Sequence, residues 1–128
     1  MSDKQREKRV ISQLTDQLKV ARKVAKNPIV MTHFVPNSYF IRYTDDFRFW
    51  NMANAMMGSA NFEKVINDFK VDKVLFGHIH KHQPPVKIEQ TWYYNGAVGY
   101  NNLHYHNEWQ TDNFMAEWIK QLKVFEVF

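Results

Sequence analysis

Two apolar runs, Ile29-Val30-Met31 and Val74-Leu75-Phe76, constrain this chain more than any other feature. Each is too short for a buried helix, is rich in β-branched or aromatic residues, and ends abruptly in a polar loop, so each predicts a buried strand. The first runs into Thr32-His33-Phe34-Val35-Pro36 and the second into Gly77-His78-Ile79-His80. Two strand ends therefore deliver histidine to a loop. In open α/β sheets the carboxyl ends of strands form the edge where ligands and reactive groups collect.

Helical periodicity fills the space around these runs. Val10, Leu14, Leu18, Ala21, Val24 and Ala25 recur at spacings of three and four, which predicts an amphipathic helix over 9–25. Asn27-Pro28 stops it, because proline lacks a donor and disfavours helix in the residue before it. Residues 46–57 predict a buried helix rich in aromatics, Met and Ala. Gly58-Ser59 breaks it, and Ser59 is an N-cap for a second amphipathic helix through Phe62, Val65, Ile66 and Phe69. After Pro84-Pro85 the alternation from Val86 through Tyr94 predicts one strand ending at Asn95-Gly96. A terminal alternating run, Leu122 to Phe128, predicts another. The order is α/β with a β-rich last third, read as a single domain over 1–128.

Composition excludes several classes. Among 128 residues there is no cysteine, so disulfides and thiolate ligands are ruled out and a reducing, cytoplasmic setting fits. No apolar run approaches the length of a membrane span, and MSDKQREKRV has no apolar segment behind it to make a secretory signal. The net charge is +4. Residues 1–26 hold eight Lys/Arg against three Asp/Glu, whereas the rest hold nine against ten. The basic character is thus a solvated helix face, and neither nucleic acid nor membrane is indicated as a partner.

Neutral imidazole is the commonest nitrogen donor to transition metals, which makes His33, His78 and His80 candidate metal ligands. On an extended backbone His78 and His80 share one face, and on a loop they diverge. Gly77 before them allows an unusual dihedral or a close approach. His82 follows two residues later as a weaker candidate, and His104 and His106 read as solvated loop residues. Asp45 and Asp46 read as helix-start residues rather than ligands. The Met and aromatic cluster at 47–57 reads as core, or as an interface if a further segment normally covers it.

T-H-x-x-P after one strand and G-H-x-H after the next, in this order and about 45 residues apart, together resemble the calcineurin-like metallophosphoesterases. The Asn95-Gly96 turn after the following strand is similar to that family's pattern too, and the likeness spans most of residues 10–100. The resemblance implies the C-terminal portion of a layered α/β/β/α sandwich and a metal-dependent phosphoester hydrolase. It implies two divalent transition-metal ions (Mn, Fe or Zn), with His33 and His78 on one and His80 on the other. Such a pair of cations neutralises phosphoryl oxygens and activates a water.

The family's D-x-H, G-D and G-N-H-[D/E] motifs do not occur here. The acidic residues before His33 are Asp3, Glu7 and Asp16. Three histidines cannot fill two coordination shells, so the expectation is that the chain corresponds to the family's second half and is inactive by itself. Exposed apolar strand faces then predict self-association or pairing with the missing N-terminal half. The competing reading is a non-catalytic metal-binding or interaction remnant. Nothing in the sequence selects a phosphoester substrate class.

Overall fold

The computed structural model describes residues 1–41, 60–79, 81–99, 101–102, 106–107 and 109–125. The expected helix over 46–57, the Asp45-Asp46 pair, the Ser59 cap, His80 and His104 lie outside these residues. The described chain is a mixed α/β structure with three helices, a four-stranded mixed sheet and a two-stranded ribbon.

Helix α1 runs Asp3–Val24, six residues longer at its start than its apolar periodicity alone predicts. The extension comes from a capping box. The Ser2 side chain accepts from the Gln5 N–H, and the Gln5 side chain accepts from the Ser2 N–H at 2.8 Å. The helix ends at Ala25, whose backbone is extended, three residues ahead of Pro28. The inward face is Ile11, Leu14 and Leu18, with Leu18 buried. Val10 and Val24, expected on that face, are exposed at 51% and 85%. Both sit at the margin of the stripe, where the helix has already turned away from the core.

Strand β1 (Ile29–Thr32) comes next, then a 3-10 turn at Ser38–Phe40 capped by the Asn37 side chain, then α2 (Ala60–Asp68). The remaining strands of the sheet are β2 (Lys73–Phe76), β3 (Val86–Ile88) and β4 (Thr91–Asn95). The order across the sheet is β1-β2-β4-β3, with β1, β2 and β4 parallel and β3 antiparallel at the edge. Register runs Thr32 to Phe76 to Asn95, so three strands end level with one another.

The sequence reading of 86–94 as one strand is corrected. It is a hairpin with Ile88 opposite Thr91 and Glu89-Gln90 as its two-residue loop. Glu89 takes a left-handed φ of 53°, as tight antiparallel turns require. The register opposes Val86 to Tyr93 and Ile88 to Thr91, so the alternation shifts by one residue at Glu89-Gln90 and resumes on Thr91, Tyr93 and Asn95.

The last third is corrected as well. It holds helix α3 (Phe114–Gln121), N-capped by Asn113 onto the Ala116 N–H at 2.9 Å, and residues 122–125 form no strand. The only strands beyond Asn95 among the described residues are the short pairs β5 (Asn101–Asn102) and β6 (His106–Asn107). His106 is therefore strand backbone rather than loop.

One face of the sheet meets the helices. Val30, Val74, Phe76 and Tyr93 join Leu18 of α1 and Val65 and Ile66 of α2 in a single core. Phe40 adds ring contacts to Phe76 and Tyr93, with centroids 4.6 and 5.6 Å apart. Arg22 donates to the carbonyls of Lys26, Phe69 and Lys70, which ties the ends of α1 and α2 together. Elsewhere on the sheet Met31 is 77% exposed and Trp92 37%. Among the described residues no helix is long and apolar enough to cross a membrane.

Candidate metal site

The level ends of β1, β2 and β4 form one edge, and the sequence places His33, Gly77-His78 and Gly96 directly beyond them, with Asn95 the last residue of β4. The Gly77 N–H donates to the His33 carbonyl at 3.3 Å, and the Gly96 N–H to the Phe76 carbonyl at 2.9 Å. Each bond carries the parallel ladder one step past the strands. The loops thus leave the sheet in register, and the first residues of each loop are held beside those of its neighbour.

His33 is positioned from below. Val35, Pro36 and Asn37 are buried shortly after it, while His33 and Phe34 are exposed. Buried proline fixes the direction of the chain and leaves the imidazole at the surface. His78 has a φ of 67°, a left-handed conformation uncommon outside glycine, although histidine is among the residues that tolerate it better. The unusual dihedral expected at Gly77 thus sits one residue later. A Cβ at Gly77 would meet the His33 carbonyl oxygen at 3.8 Å, an ordinary contact, so close approach does not demand glycine there either.

The outcome is that His33 and His78 meet. His78 Nδ1 and His33 Nε2 are 3.1 Å apart, with ring centroids at 5.1 Å and planes at 77°. As it stands this is a hydrogen bond between rings of complementary tautomers, one nitrogen donating and the other accepting. The same separation suits two donors on one ion. Nitrogens about 2.0–2.1 Å from a metal stand roughly 2.9–3.4 Å apart between right-angled and tetrahedral arrangements. The separation is thus that of two nitrogens on one ion, and two nitrogens are half of the four donors a tetrahedral site takes. Phe34 flanks both imidazoles, its centroid 5.1 Å from His33 and 5.4 Å from His78.

No group of three His, Cys, Asp or Glu side chains suited to a metal occurs among the described residues. His82 is turned elsewhere, its Nε2 lying 2.6 Å from the Val98 carbonyl. A carbonyl only accepts, so that nitrogen carries the hydrogen and is not available as a ligand.

Sequence reasoning missed Asn95, which it read only as a turn residue. Its side chain is buried, and its amide group donates toward the carbonyls of Ile79 and Lys81 and toward Gln83 Oε1. The signal was present, since asparagine at a strand end before glycine has a side chain suited to bonding nearby backbone. Tyr93, also at the base of the site, is buried; burial pushes its phenol above the ordinary range, against an opposing contact from Asn37 at 3.5 Å.

No protein-family model, no curated protein and no solved structure matches this chain.

Proposed function

We propose that this chain supplies one side of the metal centre of a metal-dependent phosphoester hydrolase of the calcineurin-like type, which acts in the complete protein. The fold would then be the C-terminal portion of that family's layered α/β/β/α sandwich. The single observation that carries the reading is the 3.1 Å approach of His33 and His78 beyond the level ends of two parallel strands. Residues 45 positions apart in sequence converge there, where the sheet register sets their loops side by side.

His33 would hold a divalent ion through Nε2 and His78 through Nδ1, with His80, outside the described residues, as a ligand of a second ion. Such ions supply Lewis acidity for phosphoryl oxygens and lower the pKa of water. The chain's own contribution is placement. The loops after β1 and β2 hold two imidazole nitrogens 3.1 Å apart, and Phe34 presents an apolar ring beside them.

A second reading, a non-catalytic metal-binding or interaction module, draws on the same site. The described residues bring together two imidazoles and no carboxylate to offset the charge of a second cation.

Calorimetric titration with Zn²⁺, Mn²⁺ and Co²⁺ tests the shared premise. The wild type is expected to bind, and His33→Ala and His78→Ala are each expected to weaken binding by roughly ten-fold or more. Equal affinity in all three sinks the site. Hydrolysis of p-nitrophenyl phosphate with manganese, measured on the complete protein because the enzyme reading gives this chain no activity by itself, separates the two readings. A rate above background that falls in His78→Ala and His80→Ala supports the enzyme. Metal binding with equal rates in all three leaves the non-catalytic module.

A further inference from the structure

We infer that Asn95 is the positioning residue of this site, holding the loop that carries His78 so that its ring faces His33. The inference rests on the metal-site reading for its purpose but not for its geometry. Asn95 is 2% exposed at the end of β4, between the sheet and the loop after β2. Its Nδ2 is 3.3 Å from the Ile79 carbonyl, 2.9 Å from the Lys81 carbonyl and 3.4 Å from Gln83 Oε1. The two carbonyls bracket position 80 and begin one residue after His78. The Asn95 Oδ1 faces the other way and accepts the Ala97 N–H at 2.9 Å, which fixes the amide's orientation.

A second tie joins the same two loops. His82 donates to the Val98 carbonyl, so Ile79 and Lys81 are tied to Asn95 and His82 to Val98. The fastening has a specific purpose in a loop where His78 sits at a φ of 67°. A left-handed non-glycine residue persists where its surroundings hold it: the Ile79 N–H bonds the Gly77 carbonyl at 2.8 Å around His78, and Asn95 reaches the carbonyl at the far side of Ile79. Two outward donors and one inward acceptor on a planar amide suit asparagine. A carboxylate offers no donor to the carbonyls, and alanine offers nothing.

The test uses the full chain with ¹⁵N-labelled histidine, comparing wild type with Asn95→Asp and Asn95→Ala. Asn95→Ala adds no charge and carries the comparison if Asn95→Asp does not fold. Thr91→Val is the structural control, because Thr91 is equally buried on β4 and donates to the Val71 carbonyl at 2.7 Å, at the strand's opposite end. The first readout, taken without metal, is the ring-to-ring nuclear Overhauser effect and tautomer pattern of His33 and His78. These are expected to persist in wild type and Thr91→Val and to vanish in the Asn95 variants. The second is Co²⁺ affinity, expected to fall roughly 10–100-fold in the Asn95 variants alone. An undiminished ring-to-ring effect in folded Asn95 variants overturns the positioning role, whatever the metal does. Separation of the rings in those variants, with no Co²⁺ binding even by wild type, upholds it and removes the metal reading instead.

Discussion

At the scale of single residues, Glu117 illustrates how position overrides type. It lies on α3 yet is fully buried, and its Oε1 accepts the backbone N–H groups of Gln110 and of Thr111, the latter at 2.7 Å. Burial pushes its carboxyl up, but those two donors outweigh it and hold the group below its ordinary value of 4.5. Its folded value is therefore depressed relative to the unfolded chain. The stabilisation is complete above pH 4.5 and is lost as pH falls through the lowered folded value. Melting temperatures between about pH 6 and about pH 3 are expected to drop for wild type and to drop less for Glu117→Gln, which has no charge to lose. Parallel curves would show that the carboxylate is not what acid disrupts. At the candidate site, His33 and His78 were legible as ligand types from the sequence. That His78 adopts a left-handed backbone, and that His82 spends its Nε2 on a carbonyl, was not.

At the scale of elements, strands β1 and β2 and helix α2 lie where their apolar runs predict them, with Val30, Val74, Phe76, Val65 and Ile66 in one core, although Met31 of the expected buried strand β1 is exposed. The hairpin did not show, since its loop carries no glycine or proline and the strand-forming residues Thr91, Trp92, Tyr93 and Tyr94 follow at once, so the one-residue shift in alternation passes as a continued strand. Its Glu89 is a non-glycine residue in a left-handed conformation, which costs about 1–2 kcal/mol. Asparagine tolerates that region better without adding the unfolded-state freedom of glycine. Glu89→Asn is expected to raise stability by roughly 0.5 kcal/mol in urea denaturation, at unchanged m-value. A loss of stability would mean that the loop conformation is not what limits this turn. Helix α3 was legible but went unread: Phe114, Met115, Trp118 and Ile119 recur at helical spacing, and what the structure adds is that this stripe is exposed while Glu117 is buried.

At the scale of the whole molecule, two apolar surfaces stand open. One is the part of the sheet bearing Met31 and Trp92. The other is the stripe of α3, where Phe114, Met115, Trp118 and Ile119 are between 42% and 58% exposed. Layered folds bury such faces against another element, so both surfaces favour association with a second copy. Size-exclusion with light scattering is expected to give a mass above 15.4 kDa for wild type and a return toward it for Trp118→Glu/Ile119→Glu. A dilute wild-type monomer would count against association. The sequence by itself determined where β1, β2 and two of the three helices lie, and which histidines stand at strand ends, because apolar spacing and proline act locally. Only the tertiary structure decided that His33 and His78 touch, that Asn95 grips the loop after His78, and that Met31 and Trp92 stay exposed. Those facts depend on parallel register between segments remote in sequence, and no local pattern encodes it.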